Sequence, residues 1–198
     1  MKSVLISIQP KWVEKIASGK KTIEVRKSKP KIETPFKCYI YATKSGDRIV
    51  LKNDKVFEIS KAITGKVIGE FVCDKIYNLF PFAMGTGIEL LDELVSPEMF
   101  CKESCLTEQE ICDYIGEKDG YGWHISDLKI YDKPKELSEF YTFESNIKCE
   151  HQKNYYIYPF CEKTNKDKLC RDIKDCPRKR KQLTRPPQSW CYVESLGE

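Results

Sequence analysis

The chain has 198 residues, 40% of them hydrophobic and 32% charged, with a net charge of +4. That supports one full core, or one core with a small appendage, and excludes an intrinsically disordered chain. No apolar run approaches the ~20 residues of a membrane span, and the first one, residues 4–8, is too short for a secretory signal. A cytoplasmic protein with no membrane partner is expected.

Charge is unevenly spread. Residues 1–37 carry ten Lys/Arg against three acids, residues 38–144 twelve against twenty, and residues 145–185 twelve against five. Two basic segments flank an acidic middle, a pattern that suits attraction of phosphates. A single run such as Arg178-Lys179-Arg180-Lys181 reads as solvated surface. The ten cysteines, without a secretory signal, point to metal ligation or free thiols before a disulfide framework.

In chain order, residues 4–8 form a short strand rich in β-branched side chains. Pro10 suits a first helical position, Trp12, Val13, Ile16 and Ala17 share one helical face, and Gly19 is a natural stop. Residues 21–26 alternate as a strand, with Ile23 and Val25 on one face and Thr22, Glu24 and Arg26 on the other. Residues 36–43 form the next strand, with Phe36, Cys38, Ile40 and Ala42 on one side and Tyr39 and Tyr41 opposite. Lys52-Asn53-Asp54-Lys55 suits the turn of a hairpin within the ambiguous stretch 44–64.

Residues 65–77 are apolar on both faces and read as one central, doubly buried strand. A long loop follows through Pro81, Gly85 and Gly87. Thr107-Glu108-Gln109-Glu110 is a capping box that predicts a helix at about 107–115, closed by Gly116. Residues 120–131 read as a strand ended by Pro134, and residues 189–194 as a closing strand. Many strands with two or three short helices predict a mainly β, α+β fold arranged as a compact barrel-like sheet.

Gly19-Lys20-Lys21-Thr22-Ile23-Glu24-Val25-Arg26 is the most informative segment. It sets a carboxylate and a guanidinium ~7 Å apart on one strand face, with a lysine at the turn leading in. Two readings stand at this point: an ordinary ion pair, or a charged site.

The segment resembles the G-x-K-x-x-E-x-R signature of ASCH domains, a branch of the PUA-like superfamily, with Gly19, Lys21, Glu24 and Arg26 at the signature positions. Gly65-Lys66-Val67-Ile68-Gly69-Glu70-Phe71 resembles the central strand of such domains. Tyr121-Gly122-Trp123-His124-Ile125 and Pro186-Pro187-Gln188-Ser189-Trp190 resemble the last strands of longer members carried by bacterial viruses and prophages. The resemblance covers about 1–143 and 184–194. It implies a PUA-like β-barrel over residues 1–144, a Cys- and Lys-rich basic insertion at 145–183, and a closing strand and tail at 184–198. It also implies a cleft beside the first helix that binds RNA, a modified base or a nucleotide, in a viral or prophage accessory protein.

Some small bacterial relatives are amidohydrolases that deacetylate N4-acetylcytidine. In them the lysine matching Lys21 is catalytic, together with a hydroxyl residue and a glutamate from a later loop. Glu24 stands here where that subgroup has its threonine. If the chain is an enzyme, Lys21, Glu24 and Glu103 are its candidate catalytic residues. As a binding site, Lys21 and Arg26 would contact a phosphate or carbonyl, and Glu24 would accept from an amine or sugar hydroxyl. Thr22, Tyr39 and Tyr41 complete that candidate set, the tyrosines as stacking surfaces. Sequestration of a host nucleotide signal or a partner protein is the third reading.

Trp12, beside the motif, offers a further stacking surface, but on the apolar face of its helix it reads first as core packing. His124 reads as a structural histidine. Cys149, His151, Cys161, Cys170 and Cys176 lie in a segment poor in aliphatic residues. A structural zinc held by Cys149, Cys161, Cys170 and Cys176 would compensate for that missing core. Their spacing contains no C-x-x-C pair, so free or packed cysteines are the competing reading, and no cofactor is required.

Overall fold

The computed structural model describes residues 2–44, 63–82, 87–92, 95–143 and 180–196. The hairpin expected around Lys52–Lys55, Gly85, and the zinc candidates Cys149, Cys161, Cys170 and Cys176 lie outside them. So does most of the insertion.

The chain begins with β1 (Lys2–Ile8), α1 (Pro10–Ala17), β2 (Ile23–Arg26) and β3 (Phe36–Ala42). It continues through β4 (Val67–Cys73), β5 (Ile76–Pro81), β6 (Ile88–Leu90), α2 (Pro97–Ser104) and α3 (Glu108–Ile115). Then come β7 (Gly120–His124), β8 (Ser126–Lys135), a 3₁₀ turn (Leu137–Glu139), β9 (Tyr141–Phe143), β10 (Arg180–Gln182) and β11 (Trp190–Glu194). One sheet has the order β11-β1-β3-β4-β8, a second β2-β7-β5-β6, and β9 pairs with β10. β1 runs parallel to β3, and β11 closes antiparallel on the other side of β1.

Two long strands expected from the sequence are each broken in two. The run 65–77 is β4 and β5, and the run 120–131 is β7 and β8, with each half in a different sheet. The breaks coincide in space. The His124 amide donates to the Lys75 carbonyl at 2.9 Å, and His124 Nδ1 lies 2.7 Å from Asp74 Oδ1. Apolar character on both faces fits a strand leaving one sheet for another as well as it fits a continuous central strand, because both bury both faces. His124 thus pins a corner.

The barrel expectation is corrected as well. Among the described strands, β11 and β8 are the edges of one sheet and β2 and β6 those of the other, so no ring of hydrogen bonds closes. Chain crossing at the corner joins the sheets covalently and leaves these edges without a further strand among the described residues. Pro134 does not end its strand either; β8 runs on to Lys135. As an edge strand it tolerates a residue with no N–H to give.

Three apolar clusters hold these layers together. The first packs Val13 and Ile16 of α1 on Val4, Ile6, Ile8, Cys38, Ile40 and Trp123. The second sets Phe100, Ile111 and Ile115 of α2 and α3 on Ile23, Val25, Tyr77 and Leu79. The third covers the other face of the five-stranded sheet with Leu5, Tyr39, Tyr41, Val67, Phe140 and Val193. Each fully buried aliphatic or aromatic side chain contributes roughly 1.5–3 kcal/mol.

The capping box forms as expected, with Thr107 Oγ1 accepting from the Glu110 amide at 3.2 Å and Glu110 Oε2 from the Thr107 amide at 2.8 Å. α2 is absent from the sequence reading, although Ser96 and Pro97 form a usable start. Ser96 caps the Met99 amide, and Pro97 occupies the first turn. Cys105 then closes α2 in the left-handed conformation, φ 55°.

Candidate functional site

α1 ends at Gly19, whose φ of 71° lets the chain reverse without a Cβ penalty. The amides of Lys20 and Lys21 both return to the Lys15 carbonyl, which delivers Lys21 straight to the head of β2. Strand alternation does the rest. Ile23 and Val25 enter the second core, while Glu24 and Arg26 face the space between β2, α1 and the end of β1.

Lys21, Glu24 and Arg26 are 2%, 6% and 7% exposed. Glu24 lies between the two cations: its Oε1 is 3.0 Å from Arg26 Nη2, and its Oε2 is 3.4 Å from Lys21 Nζ. Backbone carbonyls complete the cage. Lys21 Nζ donates to the Ser104 carbonyl at 2.6 Å, and Arg26 Nη2 donates to the Ser7 carbonyl at 2.6 Å. Arg26 Nη1 reaches Ser189 Oγ at 3.4 Å. The trio is therefore tied to α2, β1 and the approach to β11.

Burial lowers the Lys21 pKa from its ordinary 10.5, and the Glu24 carboxylate works against that shift. The trio carries one net positive charge. Two of its buried atoms, Glu24 Oε2 and Arg26 Nε, have no hydrogen-bond partner. The Lys21–Glu24 contact, at 3.4 Å, is the looser of the two ion pairs.

These side chains border a hollow of about 520 Å³, within the ~300–1,000 Å³ range of small-ligand sites. Its walls include Trp12 of α1, Tyr114 and Glu110 of α3, and Gln188 before β11. Trp12 is only half buried. The ammoniums of Lys11, Lys15 and Lys21 lie 4.6, 4.9 and 5.1 Å from its ring centre. Trp12 packs against the first core, as expected, and also forms a wall of the hollow.

Other candidates fall elsewhere. Tyr39 and Tyr41 are 0% and 2% exposed on the far face of the five-stranded sheet, Tyr39 edge-on to Phe140 with ring centres 5.0 Å apart. Alternation put them on the face opposite Phe36 and Ile40, which is correct. That face is covered by Leu137 and Phe140 at the 3₁₀ turn and by Leu183, which makes it a core and not a stacking surface. Thr22 and Glu103 meet through their backbones, the Thr22 amide donating to the Glu103 carbonyl at 2.9 Å, and neither lines the hollow.

Sequence reasoning missed the carbonyls of Ser7 and Ser104, because a backbone acceptor leaves no residue-type signal. Gln188 and Ser189 had a signal, the Pro186–Trp190 resemblance. Cys101, Cys105 and Cys112 are free thiols, Cys112 buried and the other two half-buried. No described helix is long and apolar enough to cross a membrane.

The ASCH domain profile matches residues 6–135. The crystal structure of ASCH from Zymomonas mobilis is 24% identical over 68% of this chain and 73% of that chain, with a TM-score of 0.44. A tyrosine-to-phenylalanine variant of that protein aligns at 22% identity over 69% and 77%, with a TM-score of 0.45. No curated protein matches the chain. With the profile spanning well over half of its length, and with the signature residues gathered at one hollow, the chain belongs to the ASCH domain family.

Proposed function

We propose that the hollow binds a nucleotide, or one base and phosphate of a single-stranded RNA. The observation that carries this reading is the buried Lys21–Glu24–Arg26 trio facing an open hollow beside Trp12. A net positive charge held nine-tenths out of water favours an anionic ligand. Arg26 Nε has no hydrogen-bond partner, which costs about 1–3 kcal/mol, and a ligand acceptor that reached it would offset that cost. Trp12 supplies the aromatic wall that nucleotide sites use for stacking.

Calorimetric titration with the four ribonucleoside 5′-monophosphates tests this. Saturable binding is expected, and Trp12→Ala should weaken it roughly 5- to 150-fold, the equivalent of ~1–3 kcal/mol of stacking. Binding that is indifferent to Trp12→Ala and to Arg26→Met would sink the reading.

The hydrolytic reading has one observation in its favour, the lowered pKa of Lys21, which raises the fraction of neutral amine available as base or nucleophile. It also needs a hydroxyl and a second carboxylate beside that amine; neither Thr22 nor Glu103 lines the hollow, whereas Glu110 does. Release of acetate from N4-acetylcytidine, abolished by Lys21→Ala, would replace binding by catalysis.

A further inference from the structure

Beyond the hollow, the surface that follows Arg26 is built in a regular way. The loop after β2 reads Lys27-Ser28-Lys29-Pro30-Lys31, with Pro30 buried as its anchor and the other four exposed. Every second residue meets a tyrosine from a different element. Lys27 Nζ lies 5.1 Å from the ring centre of Tyr114; Lys29 Nζ donates to Asn78 Oδ1 at 3.1 Å and lies 5.0 Å from the ring centre of Tyr121. The Lys31 amide donates to the Tyr192 hydroxyl at 2.6 Å, and Lys2 Nζ sits 5.8 Å from the same ring. Ser28 Oγ accepts from Trp190 Nε1 at 3.0 Å.

Three features set this row apart from an ordinary solvated charge run. Tyr114 also walls the hollow, so the row starts at the proposed site. Among the described residues, none of Lys2, Lys20, Lys27, Lys29 or Lys31 has a carboxylate within 4 Å, whereas Lys37, Lys66 and Lys75 are paired with Glu70, Glu136 and Asp92. The ammoniums of Lys27 and Lys29 are held over rings, Lys29 also by Asn78, and the Lys31 backbone is anchored on Tyr192; each cation–π contact contributes about 0.5–1 kcal/mol at an exposed site. Cations fixed before a ligand arrives lose less entropy when it binds. From Lys27 to Lys31 the chain reaches at most about 14 Å, roughly four phosphate steps at the ~3.4 Å rise of a stacked strand.

We infer that the Lys27–Lys31 row is the backbone track of a single-stranded nucleic acid several nucleotides long, one end of which enters the hollow. This rests on the proposed role of the hollow and adds to it that the ligand is a polymer. The row follows an anion along its length, while the hollow takes one unit of it. An acidic peptide would satisfy the lysines but leave the Trp12 wall unused, so nucleic acid is the better fit.

The experiment compares a mixed-sequence RNA of about ten nucleotides, the monophosphates and polyglutamate of similar length. Each is titrated over a salt series against wild type, Lys27→Gln/Lys29→Gln/Lys31→Gln and the matching triple Lys→Arg variant. The RNA is expected to bind wild type at least tenfold tighter than any monophosphate. Three lost phosphate contacts should reduce the slope of log K against log salt by about 2 in the glutamine variant. The arginine variant should keep the slope, which separates charge loss from damage to the loop, and monophosphate binding should stay within twofold in both.

RNA binding no tighter than a monophosphate, or a slope unmoved by the glutamines, overturns the track and leaves the hollow standing. Lysine-dependent RNA binding without any monophosphate binding, unaffected by Trp12→Ala, overturns the hollow and keeps the track. Polyglutamate binding as tightly as RNA overturns nucleic acid as the partner. Silence from all three ligands overturns both.

Discussion

Glu24→Ala is expected to lower the free energy of unfolding by about 3–5 kcal/mol at neutral pH, because it leaves two buried cations without a counter-charge, held by neutral carbonyls and a hydroxyl. For a chain of this length each kcal/mol moves the melting temperature by about 2–4 °C, so the loss should be plain in a thermal or urea melt. Arg26 cannot shed its proton. Lys21 can, and with Glu24 gone its folded-state pKa falls further below 10.5. In the window between that lowered value and 10.5 the unfolded chain holds a proton that the folded chain lacks. Stability therefore rises with pH, and the variant should recover on the alkaline side.

Glu24→Ala/Lys21→Met removes the repelling partner as well, leaving Arg26 on the Ser7 carbonyl. It should be more stable than Glu24→Ala alone at pH 7 and should lack the alkaline recovery. Urea melts of wild type, both single variants and the double, at pH 7 and pH 9, give the coupling energy directly. A Glu24→Ala midpoint within about 1 kcal/mol of wild type would mean that water already screens the trio.

This balance was only partly legible in the sequence. The spacing of Lys21, Glu24 and Arg26 shows that the two strand residues share a face, since alternation in a strand is a local property. It is silent on whether that face meets water. What buries the trio comes from far away: the Ser104 carbonyl of α2, the Ser7 carbonyl of β1 and Ser189 before β11. None of these is a side-chain pattern near residue 21.

The same limit explains Tyr39 and Tyr41. Their face was read correctly, but what covers it is Phe140, about a hundred residues on, along with Val193. The broken strands at Asp74 and Ile125 were missed because a chain that changes sheets keeps its apolar run. The capping box of α3 and the stop at Gly19 were legible because both are closed by neighbours within four residues.

Gly122→Ala is the second substitution with a large expected effect, and it reaches the site through packing alone. Gly122 sits in β7 opposite Val25 of β2. A Cβ there would lie 2.6 Å from Phe100 Cζ and 3.0 Å from Ile23 Cγ2. Phe100 is fully buried in α2, with its ring edge-on to Tyr77 at 5.9 Å, so it has no room to rotate away. The strand cannot retreat, since β7 is paired on both sides. The helix must yield, and α2 carries the Ser104 carbonyl that holds Lys21.

Overpacking of this kind costs roughly 1–3 kcal/mol, and a value near the top of that range is expected where two paired strands resist. Phe100→Leu provides the control. In wild type it opens space and destabilises. In the Gly122→Ala background the same change should relieve the clash and stabilise, a reversal of sign that only direct contact between the two positions predicts. Urea melts of the four proteins read the reversal. Monophosphate binding, if α2 moves as argued, should weaken in Gly122→Ala and return in the double variant. Additive effects of the two substitutions would show that α2 is not the element that Gly122 supports.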